Sequence, residues 1–179
     1  SVGHPDGVFH IEQVFNKIIQ ANPTYRKYKI GNLNDILGLT YHDMGKYNKA
    51  EKYYIEKLKA DTTELQKKTT YSNLGLLYRS LGDYEKSEKY ALRAYKLSKQ
   101  SRFKDQVSYI NNLAAVYEDK GDYELAIKYY KEALDLSNEI GTYNHNGWML
   151  INLSRVYRYS NDEENSMIYG RKFLSWRKK

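Results

Sequence analysis

Residues 71–83 read YSNLGLLYRSLGD, and the same arrangement returns as NDILGLTYHDMGK at 34–46, INNLAAVYEDKGD at 110–122 and LINLSRVYRYSND at 150–162. The shared leucines Leu37, Leu74, Leu113 and Leu153 lie 37, 39 and 40 residues apart. Each is followed by a small residue (Gly38, Gly75, Ala114, Ser154) and, three positions later, by a tyrosine (Tyr41, Tyr78, Tyr117, Tyr157). That spacing places all three on one face of an α-helix.

Four residues after each tyrosine stands Gly45, Gly82, Gly121 or Asn161, the two residue types that most readily take the left-handed conformation closing a helix. Asp83, Asp122 and Asp162 come next and can accept hydrogen bonds from the free amides of a second helix; Lys46 is the exception. Helical spacing resumes at once in Tyr47, Ala50 and Tyr54, in Tyr84, Ser87, Ala91 and Ala94, and in Tyr123, Ala126, Tyr130 and Ala133. Small residues sit where two helices must approach closely. Each unit therefore reads as a helical hairpin, with helices expected at 24–44, 47–60, 63–81, 84–100, 104–120, 123–140, 143–160 and 163–177. Ahead of them, Val8, Ile11, Phe15, Ile18 and Ile19 form one apolar stripe of a further helix, ended by Asn22 and Pro23. One domain is expected, with residues 1–23 as a partial preceding repeat or cap and hairpins at about 24–60, 61–100, 101–140 and 141–179.

Composition agrees with a folded, unstapled chain. The 179 residues are 41% apolar and 28% charged and include no cysteine, which excludes disulfides, thiolate zinc sites and catalytic thiols. No stretch nears the roughly 20 apolar residues of a membrane span, so a cytoplasmic location is expected. The chain opens on Ser1 instead of Met, so a processed chain or a fragment is expected. The net charge is +7, but Arg171 to Lys179 hold five basic residues and no acidic one, leaving a nearly neutral body. A dedicated nucleic-acid surface would instead cluster Lys and Arg across one face.

The chain resembles the tetratricopeptide repeat family through Leu-Gly, Tyr, Gly, Tyr and Ala in register over residues 24–177. Its units exceed the usual 34 residues and are similar to the extended repeats of peptide-responsive bacterial regulators, kinesin light chain and cell-polarity adaptors. Departures are Lys57 and Phe173 at the late small position and Gly170 where an aromatic is usual. The resemblance implies an all-α right-handed superhelical solenoid of antiparallel helix pairs. First helices would line a concave groove and second helices would form the convex back.

Groove positions can then be named. Just before each shared leucine stand Ile36, Asn73, Asn112 and Asn152, and in the extended-repeat relatives asparagines here form a ladder on the backbone of a bound peptide. An amide both donates and accepts, as a peptide group requires; the alternative is that these amides solvate the helix or bond neighbouring repeats. Leu39, Leu76, Ala115 and Arg155 stand two positions after the leucine, and His42, Arg79, Glu118 and Arg158 five after. Arg79, Arg155 and Arg158 could fork onto a carboxylate of an acidic or C-terminal peptide, or pair with neighbouring acids. Asp35, Ser72, Asn111 and Ile151 stand two before the leucine, so the lysine-rich clamp for chaperone tails is absent. Trp148 and Tyr159 are expected half-buried between repeats, with ligand stacking as the alternative. Ten of the 20 tyrosines (41, 47, 54, 71, 78, 84, 117, 123, 130 and 157) occupy signature positions, where they pack.

The four histidines lack metal-site spacing, no phosphate loop or nucleophile motif occurs, and neither cofactor nor catalysis is expected. Glu51, Glu56, Glu85 and Glu88 are expected to solvate the convex face and pair with lysines one turn away. The expected function is a protein- or peptide-binding scaffold using His42, Asn73, Leu76, Arg79, Asn111, Asn112, Asn152, Arg155 and Arg158. The alternative is a sensory or dimerising region of a larger signalling or transcription-regulating protein, with which a homodimer is compatible. Lipid or nucleic-acid binding by the basic tail, anchored by Trp176, stands third.

Overall fold

The computed structural model describes residues 10, 12–14, 17, 20–21, 23–100, 103–141 and 146–178. From residue 23 these hold helices α1 (Pro23–Asp43), α2 (Tyr47–Ala60), α3 (Glu64–Ser80), α4 (Tyr84–Ser98), α5 (Phe103–Lys120), α6 (Tyr123–Glu139), α7 (Asn146–Tyr159) and α8 (Glu163–Trp176). They form an all-α right-handed superhelical solenoid of antiparallel pairs, as the family resemblance implies. Residues 10, 12–14, 17, 20 and 21 are helical as well. The apolar stripe expected from Val8 to Ile19, with Asn22 as its stop, lies outside the described residues, as do His4 and His145. None of the described helices is long and apolar enough to cross a membrane.

The reversals follow the turn chemistry. Gly45, Gly82, Gly121 and Asn161 take φ of 68°, 73°, 78° and 60°. Immediately afterwards Asp83, Asp122 and Asp162 accept from the backbone N–H of Lys86, Leu125 and Asn165 at 3.1, 3.2 and 3.0 Å. Lys46 occupies the same place before α2 with no side-chain cap, at φ −88° and ψ 62° close to the −85° and 77° of Asp83. Helix α3 starts instead with a reciprocal capping box between Thr63 and Gln66.

Small residues let the paired helices touch. A Cβ on Gly38 would collide with the ring edge of the fully buried Tyr54, and one on Gly75 would lie 3.3 Å from the Ala91 backbone nitrogen. Ser87 then donates to the Gly75 carbonyl across the gap at 2.8 Å. In the last pair Ser154 and Ser166 each donate to the other's carbonyl at 2.8 Å. The four shared leucines are at most 1% exposed, and each such burial contributes about 2 kcal/mol. Lys57, the outsized late position of the first hairpin, is buried but keeps its ammonium 3.3 Å from Asp61.

A second tyrosine set repeats as regularly as the leucines. Tyr41 stacks on Tyr53, Tyr78 on Tyr90, Tyr117 on Tyr129 and Tyr157 on Tyr169, with ring centroids 5.6, 5.6, 5.5 and 5.4 Å apart. The partner always follows twelve residues later, and it is absent from the expected signature set.

Candidate protein-interaction groove

Successive first helices approach one another, α1 with α3 and α3 with α5, whereas among the described residues no two second helices come comparably close. The array therefore bends toward its first helices, and the side they share is the inner one. On it Ile36 is 50% exposed and Leu39 42%, while Leu76 is half-buried.

The expected asparagine ladder is present in register, but two of its rungs point between repeats. Asn73 donates to Asp35 at 3.1 Å, and Asn112 donates to Ser72 at 3.1 Å. In each case the residue just before the shared leucine reaches the residue two before the leucine of the previous hairpin. Asn152 and Asn111 occupy the third such pair. There Asn111 Oδ1 is buried without a hydrogen-bond partner among the described residues, and Asn152 is half-buried. Each junction amide commits one of its two N–H donors, leaving a carbonyl and a second donor.

Arg79 and Arg155 turn inward and take the second of the two readings expected for them, pairing with neighbouring acids. Arg155 donates from Nε to Glu118 Oε1 at 2.6 Å and from Nη2 to Oε2 at 2.9 Å, and Tyr130 donates to the same carboxylate at 2.8 Å. The Glu118 side chain is 6% exposed, so its charge requires a close cation. Arg79 pairs through Nε with Asp119 at 2.5 Å. His42 meets the Ser80 hydroxyl at 3.1 Å and the Tyr47 ring at 5.6 Å. Arg158 alone of the three arginines is exposed, lying over the Tyr159 ring at 6.0 Å.

Acids of the second helices do more than solvate the back. Glu51 accepts from the Tyr78 hydroxyl, and Glu88 from Tyr117 and from the Lys120 ammonium, each across a junction to the next hairpin. Glu51 and Glu88 thus reach the next hairpin, beyond the water and the lysines one turn away that are expected for them. Glu12 repeats the bond ahead of the first hairpin, accepting from Tyr41 at 2.5 Å and also from Tyr53. Burial raises the Glu12 pKa, yet the two tyrosine hydroxyls and the Lys49 charge outweigh it and hold the carboxyl below its usual range. Burial and the acceptor carboxylates push the Tyr78 and Tyr117 hydroxyls well above theirs. At Asp35 burial dominates over the attraction of Lys57 and the bond from Asn73, and the carboxyl is raised.

At the C-terminal end two expectations change. Trp148 is 71% exposed instead of packed between repeats, whereas Tyr159, 48% exposed, meets the Tyr123 ring of the preceding hairpin at 5.9 Å. Trp176, expected as an anchor of the basic tail, is half-buried: it stacks on Phe173 at 6.2 Å and lies where a Gly147 Cβ would be. Among the described residues no group of three or more His, Asp or Glu is placed to hold a metal ion.

A family model described as "Tetratricopeptide repeat" matches residues 30–100 and 105–175. No curated protein matches the sequence. Among solved structures the chain is similar to BtubC from P. vanneervenii, with 21% identity, TM-score 0.77, and coverage of 97% of this chain and 72% of that one. It is similar to nearly identical TPR-like repeats from Podosopora anserina, with 13% identity, TM-score 0.79, and 96% and 85% coverage. It is also similar to MamA, with 18% identity, TM-score 0.74, and 97% and 90% coverage. At these identities the likeness shows the fold.

Proposed function

This chain belongs to the tetratricopeptide repeat family, and from that premise we propose that it is a non-catalytic scaffold whose concave face binds an extended segment of a partner protein. The observation that carries this reading is the coincidence, on the inner side, of exposed apolar Ile36 and Leu39 and half-buried Leu76 with the amides of Asn73, Asn112 and Asn152. The apolar side chains supply contact area, and the amide groups not engaged at the junctions match a peptide backbone whatever its side chains. Because Arg79 and Arg155 already hold internal acids, the bound segment is recognised here by its backbone and apolar residues and not by a carboxylate.

We also infer that the residues before Pro23 act as the trailing half of a preceding hairpin. Support comes from Glu12, which bonds Tyr41 as Glu51 bonds Tyr78 and Glu88 bonds Tyr117.

The test is site-specific photo-crosslinking from the full chain in native lysate, with the reactive group placed at Leu39 or Leu76 and, as control, at the convex Lys89 or Lys128. Discrete adducts from the two leucine positions, lost when Asn152→Ala and Ile36→Asp are combined, are expected. Equal labelling from both faces would overturn the reading.

A further inference from the structure

The inner side repeats itself once per hairpin in two rows. Just before the shared leucines stand Asn73, Asn112 and Asn152, and one helical turn beyond that position stand Leu39, Leu76 and Ala115. The amide row is braced at the internal junctions, where Asn73 donates to Asp35 and Asn112 to Ser72, both at 3.1 Å. Each bond fixes the plane of its amide, and each such rung still offers one N–H and its Oδ1. Beside the rows Arg79 is already matched with Asp119 and Arg155 with Glu118, so the rows themselves present neutral donors, neutral acceptors and apolar side chains.

The interval between rungs selects the backbone that can follow them. Helix α1 packs on α3 and α3 on α5, and helices in contact lie about 8–10 Å apart. A segment crossing them must present the same groups at that interval. A β-strand advances about 10 Å in three residues, but its side chains and backbone groups alternate, so residues three apart face opposite ways. An α-helix returns to the same face after about 10.5 Å, yet its backbone groups are bonded internally and cannot meet the amides. A polyproline II segment advances about 9.3 Å in each turn of three residues, repeats one face at every turn and has no internal hydrogen bonds. Its period and its free backbone both fit the rows.

Resting on the reading that the inner side binds an extended segment, we propose that this segment is proline-rich, adopts the polyproline II conformation and carries an apolar non-proline residue at every third position. Each such residue sets its side chain against the row of Leu39, Leu76 and Ala115. Its N–H, one per turn because proline has none, donates to the Oδ1 of a rung, and a carbonyl of the same turn accepts the rung's second N–H. Donors and acceptors then match in every hairpin that carries a rung. The segment is extended before it binds, so little conformational entropy is lost on docking.

The probe is a fluorescein-labelled peptide of four Leu-Pro-Pro units, titrated into the full chain and followed by fluorescence anisotropy. Saturable micromolar binding is expected, at least about tenfold tighter than that of an isomer with its leucines moved out of the three-residue period or of a peptide of four Leu-Gly-Ser units. Leu39→Asp, at an exposed site, and Asn152→Ala each weaken binding several-fold with an unchanged melting curve. Unlabelled peptide also suppresses the photo-crosslinks formed from Leu39 and Leu76. Absence of saturable binding, equal binding of the three peptides, or binding indifferent to both variants overturns the proposal. Crosslinks that form from the inner leucines and persist in excess peptide overturn it too, while leaving the inner side as the binding face for a segment of another class. Crosslinks of equal strength from both faces overturn the reading on which it rests.

Discussion

Arg155 lays two arms of its guanidinium on Glu118, 37 residues earlier, with Nε and Nη2 at 2.6 and 2.9 Å from the two carboxylate oxygens. The pair bridges hairpins α5–α6 and α7–α8, and Tyr130 completes the shell of the acid from within its own hairpin. A partly exposed cation thus permits a buried anion.

Removing that cation leaves Glu118 buried with one neutral donor. Arg155→Ala is expected to cost about 2 kcal/mol in chemical denaturation, below the range for fully buried pairs because Arg155 is itself 38% exposed. Arg155→Met combined with Glu118→Leu should recover most of the loss, because no orphaned charge remains. A double variant as unstable as Arg155→Ala would show that the pair contributes more than mutual neutralisation.

The first hairpin lacks the cap that the others possess, while its backbone already has the capping conformation. Lys46→Asp is expected to stabilise the chain by about 1 kcal/mol, and Asp122→Ala to destabilise it by a similar amount. Thermal melts of the two variants should move in opposite directions from the parent.

Gly38 is held to its identity by the Tyr54 ring. Gly38→Ala displaces a ring that is wholly buried, at an expected cost of about 1–3 kcal/mol in denaturant titration. Gly75→Ala meets only a 3.3 Å backbone contact and should cost less than Gly38→Ala.

Asp35 titrates against the fold. Burial raises its folded pKa above the unfolded value, so the folded chain holds this proton more tightly and the ionised form destabilises it at neutral pH. That penalty disappears as pH falls below the ordinary carboxylate range. Asp35→Asn keeps the acceptor for Asn73, so the variant should melt above the parent at pH 7, with the difference shrinking as the pH is lowered toward 4. An equal difference at both values would refute the role of ionisation. Asp83 and Asp162 run the other way: side-chain and backbone donors from Lys86 and Asn165 hold their carboxyls low. The stability they contribute is present above the unfolded pKa and is lost as pH falls through the folded one.

What the sequence by itself determined is the hairpin. Leucine, small residue and tyrosine at helical spacing, then a left-handed turn residue and an aspartate cap, are interactions within a few residues, and the helices fall within three residues of the expected ends. The Tyr41–Tyr53 type of stack also has a sequence signal, since a tyrosine recurs twelve residues after each of Tyr41, Tyr78, Tyr117 and Tyr157. What only the tertiary structure decided is how one hairpin meets the next. Whether Asn73 faces a ligand or Asp35, whether Arg155 faces a peptide or Glu118, and whether Glu51 faces water or Tyr78 depends on the stagger and rotation between hairpins. That offset is set by packing among side chains 27 to 40 residues apart. A helical period states which residues share a face but not which neighbour that face receives.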